Sequence, residues 1–187
     1  MLIYWQKLNY IEMKNIKFIV LLLAFSIVSC KTNSQKNTDE KIIYTDNITV
    51  DFSKIDMTII EKTEAEWKAE LNDQEYYVIR EKGTERAFTG DLVDNKKDGI
   101  YTCRACQLPL FTSTTKFKSG TGWPSYYQPI KKEVILEDTD YLLGYARTEV
   151  MCARCEGHLG HVFNDGPEPT GLRYCINSVS LDFEKKK

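Results

Sequence analysis

The chain reads as a mostly-β, α+β protein, and three features of its sequence predict that class. Two short helix signatures stand together over residues 63–79. From Gly99 onward the pattern changes to short segments rich in aromatic and β-branched residues, broken by Gly, Pro and Asp turns. Helices followed by a run of strands give an α+β or mostly-β arrangement, not the alternation of a parallel α/β sheet. The third feature is a pair of knuckles, Cys103-x-x-Cys106 and Cys152-x-x-Cys155, placed between predicted strands where one metal ion can join two sheets.

The first 55 residues stand apart from that pattern. Lys14 and Lys17 precede an apolar run, Phe18 to Val28, which is too short to span a bilayer as a helix. A positive flank, a short apolar core and a small residue before the break form a secretory signal. The run ends Ile27-Val28-Ser29-Cys30 and resembles the lipobox of bacterial lipoproteins. That resemblance implies cleavage of residues 1–29 and acylation of Cys30, with an exported product anchored to a bacterial membrane. Several acyl chains suffice for stable anchoring, where a single one binds reversibly. The alternatives are a buried apolar helix, or an uncleaved anchor with a free Cys30. Met13 is a second possible start, because residues 1–12 add nothing to the signal pattern. Residues 30–55 read as a polar tether, since the Lys-, Asn-, Thr- and Gln-rich stretch up to about residue 50 has little apolar surface to bury. Residues 56–187 then make one domain.

Within the domain, Thr63-Glu64-Ala65-Glu66 has capping-box spacing, and Trp67 and Leu71 follow on one helical face. Asn72 and Glu75 repeat the capping pattern ahead of Tyr76, Tyr77, Val78 and Ile79, with Gly83 as the stop. The predicted strands are Ile100–Thr102, Leu108–Phe111, Tyr141–Ala146, His161–Phe163 and Tyr174–Phe183. A net charge of −2 gives no electrostatic reason to expect a nucleic-acid partner. The one basic run, Lys185 to Lys187, reads as a solvated terminus.

Six cysteines carry most of the chemistry. Four thiolates from two identical knuckles complete a tetrahedral zinc shell with no open position, so this metal would hold the fold. An exported protein can instead pair such cysteines as disulfides. A Cys103, Cys106, His158, His161 site is a further arrangement, although two residues between the histidines is shorter than that pattern's usual three to five. Cys175 stands outside both knuckles. Alternation along a strand puts Arg173, Cys175 and Asn177 on one face, so a guanidinium and an amide flank the sulfur. A nearby cation favours thiolate, the nucleophilic form. The chain's two histidines, His158 and His161, lie close by in sequence to the second knuckle and titrate near neutral pH. A lone cysteine in an apolar strand is otherwise an inert buried residue.

Four segments then resemble one family. They are Arg80-Glu81-Lys82-Gly83-Thr84-Glu85-Arg86-Ala87-Phe88-Thr89-Gly90, Lys116-Phe117-Lys118-Ser119-Gly120-Thr121-Gly122-Trp123-Pro124-Ser125, Gly157-His158-Leu159-Gly160-His161-Val162-Phe163-Asn164-Asp165-Gly166-Pro167 and Arg173-Tyr174-Cys175-Ile176-Asn177-Ser178. In order, and with both knuckles, they resemble the B-type methionine sulfoxide reductases over about residues 60–183. The resemblance implies two antiparallel sheets with short N-terminal helices, and structural zinc on Cys103, Cys106, Cys152 and Cys155. It implies reduction of methionine-R-sulfoxide in oxidised proteins or peptides, with Cys175 as the catalytic thiol. His158, His161, Asn177 and Arg173 would serve the reaction, and Trp123 and Phe163 would bind substrate. His161 is the expected proton donor. The sulfenic acid left on Cys175 must then be reduced by a thiol. Many family members carry a resolving cysteine where this chain has Thr121, so an external thioredoxin-like or other thiol reductant is expected here.

Two other classes fit parts of the sequence. A zinc-stabilised binding module needs only the four-cysteine site and tolerates loss of Cys175. A lipoprotein scaffold consumes no reductant at all.

Overall fold

The computed structural model describes residues 41–44 and 48–186. The segment read as a signal and Cys30 lie outside the described residues. Among those described, no helix is long and apolar enough to cross a membrane.

Two antiparallel sheets carry the domain. The larger has six strands in the order β5-β6-β10-β9-β8-β7, and the smaller three in the order β11-β3-β4. The strands of the first are β5 (Lys116–Phe117), β6 (Ser125–Tyr126), β7 (Ile135–Asp140), β8 (Arg147–Cys152), β9 (His158–Phe163) and β10 (Arg173–Ile176). Those of the second are β3 (Gly99–Cys103), β4 (Pro109–Thr112) and β11 (Leu181–Lys185). Aromatic side chains fill the space between the sheets. Phe111 of β4 stacks on Tyr126 of β6 with centroids 4.3 Å apart, and Tyr101 of β3 meets the same ring edge-on at 5.1 Å. Such pairs add to the stabilisation that apolar burial already supplies.

Two helices precede the sheets as the capping boxes predict. For α1 (Glu64–Glu70), the Glu66 N–H donates to Thr63 Oγ1 at 3.3 Å while the Thr63 N–H donates to Glu66 Oε2 at 2.7 Å. For α2 (Asp73–Ile79), Asn72 and Glu75 close the same reciprocal pair at 2.9 and 3.0 Å. Each box satisfies backbone donors that a helix start leaves open. Trp67 of α1 is buried, with the Lys62 and Arg80 cations over its ring at 4.8 and 5.0 Å. After α2 the left-handed residue is Lys82 (φ +56), not Gly83, and this turn sends the Lys82 side chain toward β8.

Four expectations need correction. Tyr141–Ala146 is not a strand but the turn joining β7 to β8. Asp140 accepts from the Leu142 N–H at 2.7 Å, and Gly144 takes φ +82, so turn chemistry overrides the aromatic composition. The true strands on either side were hidden by their polar residues, because β7 is an edge strand with mostly exposed side chains. Tyr174–Phe183 is two strands, not one. A 3₁₀ turn at Ser178–Ser180 separates β10 from β11 and moves the chain from one sheet to the other. The strand read at His161–Phe163 begins at His158. Finally, part of the segment read as a tether forms an antiparallel hairpin, β1 (Lys41–Tyr44) with β2 (Ile48–Asp51). Ile48 and Val50 are buried there, an apolar contact that the polar average concealed.

Tyr126 is fully buried and its hydroxyl has no hydrogen-bond partner among the described residues. Burying such a group costs about 1–3 kcal/mol. Tyr126→Phe keeps the ring contacts and removes the orphan, so the melting temperature by calorimetry should stay level or rise. A clear fall would show that the hydroxyl is satisfied.

Candidate active site and metal centre

The knuckles are built alike. Each begins at a strand end, Cys103 closing β3 and Cys152 closing β8. The residue after each second cysteine is left-handed, Gln107 at φ +63 and Glu156 at φ +56. Their N–H groups donate to the carbonyls of Cys103 and Cys152 at 2.7 and 2.9 Å. This turn points both sulfurs of a knuckle the same way. The four Sγ atoms lie within 4.8 Å of one another, all four residues buried. Cross-knuckle separations are 3.6 Å for Cys103 to Cys155 and 3.5 Å for Cys106 to Cys152. None of the four is in a disulfide. Metal–sulfur bonds of about 2.3 Å at tetrahedral angles set neighbouring sulfurs about 3.8 Å apart. The cluster therefore fits a four-thiolate metal site that joins the two sheets. The histidines take no part, since each is bonded to a carboxylate elsewhere.

The second centre is set by strand register. Cys175 on β10 lies directly across from His161 on β9 and from Ser125 on β6, and His161 lies across from Glu149 on β8. Directly opposed residues share a face, so these side chains form one row across four strands. β9 can approach β10 this closely because residue 160 is glycine. A Cβ there would sit 2.1 Å from the Cys175 carbonyl oxygen.

A pocket of about 100 Å³ opens over Cys175. Trp123 and Phe163 wall it, Asn177, His161 and Arg147 reach into it, and Thr84 and Gly160 complete it. The Trp123 indole N–H donates to the Glu85 carbonyl at 3.2 Å, which fixes the ring. Glu85 is itself a buried anchor, accepting from the Ser178 and Val179 N–H groups at 2.6 and 2.9 Å. Asn177 accepts from the Glu85 N–H and donates to the Leu159 carbonyl, both at 3.1 Å. The loop that supplies Trp123 and the end of β10 are thus tied together.

Arg173 departs from the simple picture. Its guanidinium forks onto Asp165 at 2.8 and 2.9 Å and lies 4.4 Å over the Phe163 ring. Its charge still draws the Cys175 thiol toward ionisation, as does the Thr121 hydroxyl at 3.7 Å from Sγ. Burial is the larger effect and pushes the thiol above its ordinary value. Free Cys175 is therefore a thiol at neutral pH, contrary to the thiolate that the neighbouring cation predicts.

Both histidines are neutral at that pH, because burial pushes each below its ordinary value. Their tautomers follow from their carboxylates. Asp140 is held at about 2, chiefly by the Leu142 N–H and then by His161 and Arg147. It can only accept, so His161 donates Nε2–H to it at 2.8 Å and keeps a lone pair on Nδ1. His158 donates Nδ1–H to Glu149 at 2.7 Å, and its buried Nε2 has no partner among the described residues. His158 does not line the Cys175 pocket. It lies behind His161, ring centroids 5.4 Å apart, facing a separate cavity with Lys82 and Glu149. Asp140, Arg147 and Glu149 were not singled out from the sequence.

A pair of β-sheets joined at a four-cysteine cluster fit to hold a metal, presenting one further cysteine beside a histidine under an aromatic wall, defines a thiol-based oxidoreductase domain. The SelR domain family model matches residues 71–185. Over 125 residues the chain is 57% identical to a peptide methionine sulfoxide reductase MsrB of Thiobacillus denitrificans, covering 67% of this chain and 95% of that protein. It is 55% identical over 127 residues to the MsrB of Leptospira interrogans, covering 68% and 97%. Against the MsrB of Methanosarcina mazei it is 58% identical over 130 residues, covering 68% and 91%. The chain belongs to the SelR-domain, MsrB family.

Removal of the metal should unlock the sheets. A chelator, or Cys103→Ser, is expected to lower the melting temperature by well over 10 °C and release about one metal ion per chain, because metal binding contributes directly to folding free energy. Calorimetry with elemental analysis checks it. Gly160→Ala should be more disruptive than its size suggests, with circular dichroism showing loss of native tertiary signal, because the added methyl has no room against β10.

Proposed function

We propose that this protein reduces methionine-R-sulfoxide in oxidised proteins or peptides to methionine, with Cys175 as nucleophile and an external thiol as the final reductant. The observation that carries the reading is the register of Cys175 against His161 at the floor of a pocket walled by Trp123 and Phe163. The names of the related reductases support the substrate class.

The protonation states fit the reaction. Neutral His161 takes the Cys175 thiol proton at Nδ1 as sulfur attacks the sulfoxide sulfur, then returns it to the sulfoxide oxygen. The S–O bond to methionine breaks as the oxygen passes to Cys175. Thiol and sulfoxide become sulfenic acid and thioether with no net proton consumed. Trp123 and Phe163 shelter the methyl end, Asn177 orients the polar end, and Arg173 stabilises the developing thiolate. His158, behind His161, supports its ring from the buried side.

Recycling follows from Thr121. Its hydroxyl stands 3.7 Å from Cys175 Sγ, where family members with an internal resolving thiol place a cysteine. The remaining described cysteines belong to the metal cluster. An external thiol, from a thioredoxin-like protein or a small molecule, therefore reduces the sulfenic acid. The metal we propose is zinc, the usual partner of four tetrahedral thiolates. We propose further that residues 1–29 are a lipoprotein signal and that acylated Cys30 anchors the exported enzyme to a bacterial membrane, as the lipobox pattern indicates.

Purified R and S epimers, assayed with dithiothreitol, test the assignment: the R epimer should turn over and the S epimer negligibly, and equal rates would overturn it. One equivalent of substrate should leave a dimedone-trappable sulfenic acid on Cys175, then a mixed disulfide with the reductant and no loss of metal. Thr121→Cys should instead give an internal disulfide detectable by mass spectrometry.

The pH profile of kcat/KM has a definite sign. The competent pair is neutral His161 with protonated Cys175. Rate should fall as acid protonates His161, below its ordinary 6.5, and fall again as base strips Cys175, above its ordinary 9.0. Asp140→Asn removes a carboxylate that raises the His161 pKa, while Arg147 and Glu149 remain. Its acid limb should move to lower pH.

A further inference from the structure

The pocket over Cys175, about 100 Å³, holds the end of one side chain and little else. A residue bound there by its sulfoxide must lay its own backbone, and the residues on either side, across the rim. What the rim presents therefore bears on which polypeptides are accepted.

Arg147, which lines the pocket, opens β8, and the turn that leads into it from β7 is apolar. Tyr141, Leu142, Leu143 and Tyr145 are 67%, 75%, 57% and 59% exposed. Only Gly144 interrupts them. Turn tips are ordinarily built from Gly, Asn, Asp, Ser and Pro, and large apolar side chains grouped in solvent mark a contact surface. None of the four belongs to the hydrophobic core, so folding does not account for them.

This turn is continuous with the pocket through one carboxylate. Asp140 Oδ1 accepts from the Leu142 N–H at 2.7 Å, while Oδ2 accepts from His161 Nε2 at 2.8 Å and pairs with Arg147. His161 and Arg147 both line the pocket. Asp140 is the link between the turn and the pocket wall, while Leu142 itself faces the neighbouring cavity beside His158. A second exposed aromatic stands beside another pocket wall. Phe88, 72% exposed, holds a left-handed φ of +65, and a Cβ on Gly122, next to Trp123, would lie 2.9 Å from its ring. Backbone strain of this kind persists where surrounding structure enforces it and clusters at binding sites.

We infer that the β7–β8 turn is a docking surface for the polypeptide that flanks the sulfoxide, and that it selects apolar neighbours. The inference rests on the reading of the Cys175 pocket as a methionine sulfoxide site. Side chains such as leucine or phenylalanine next to the oxidised methionine cover the turn and lose water with it. The turn acts only on substrates long enough to reach it, so a single blocked amino acid gains nothing.

The test compares three substrates on the full chain: N-acetyl-methionine-R-sulfoxide amide, a peptide with apolar residues flanking the sulfoxide, and one with serine and asparagine in their place. The unaltered protein should favour the apolar peptide over the polar one by about tenfold in kcat/KM, the scale of covering one large apolar side chain. The triple variant Tyr141→Ser, Leu143→Ser, Tyr145→Ser should lose that preference while turning over the blocked amino acid as before. No preference in the unaltered protein, or a preference that survives in the variant, overturns the inference. So does an equal loss on all three substrates. If the variant keeps the peptide preference but loses affinity for phosphatidylglycerol vesicles, or changes its mass in light scattering, the turn serves a membrane or a second copy and the inference fails. Absence of turnover of the blocked amino acid by the unaltered protein would instead overturn the reductase reading itself.

Discussion

Gly160 lets β9 lie against β10 so closely that no side chain fits between their backbones, and most of the geometry around Cys175 follows from that contact. The register it secures sets Cys175 opposite His161. The same pairing continues to β8, where Glu149 stands opposite His161 and bonds His158. Hydrogen-bonded strands are stiff on the scale of a side chain. Cys175 and His161 are therefore positioned by backbone, and the loops supply only the walls. Trp123 comes on such a loop, and it is fixed because Glu85 binds both its indole and the turn that follows β10.

The metal cluster and the thiol divide the work of the cysteines by their surroundings. The four knuckle cysteines are all buried, and both left-handed turns aim their sulfurs at one point. Such a site ties β3 to β8 and leaves nothing for a substrate to approach. Cys175 is less enclosed and has a hydroxyl, a guanidinium and an imidazole nearby. Burial keeps it protonated, which suits a reaction whose products need that proton. A nucleophile held as a thiol until a substrate arrives is also less open to stray oxidation.

Asp140 links more of the site than its place at the end of an edge strand suggests. It ends β7, holds the first residues of the turn, pairs with Arg147 at the start of β8 and fixes the His161 tautomer. A contact on the turn and the protonation state of the imidazole thus meet at one carboxylate. Glu149 does the equivalent for His158 while its other oxygen takes Lys82, a residue placed there by a left-handed turn after α2.

Much of this was legible in the sequence because it depends on local rules. Capping boxes at Thr63 and Asn72 fixed the helix starts, knuckle spacing named four ligands, and elimination left Cys175 alone. Strand alternation offered Asn177, the histidine pair offered His161 and family resemblance added Trp123, and the pocket does gather these three around the thiol. Tyr141–Ala146 was misread because aromatic composition argues for a strand, while Asp140 and Gly144 impose a turn that leaves those side chains in solvent. His158 and His161 looked equivalent in sequence, yet only His161 lines the pocket, since His158 is held behind it by Glu149. The sequence by itself determined which residue types are present and how each short segment folds. Tertiary structure alone decided which of them meet, because Asp140 with His161, Glu149 with Lys82 and Glu85 with Asn177 are contacts between segments distant in sequence that no local pattern encodes.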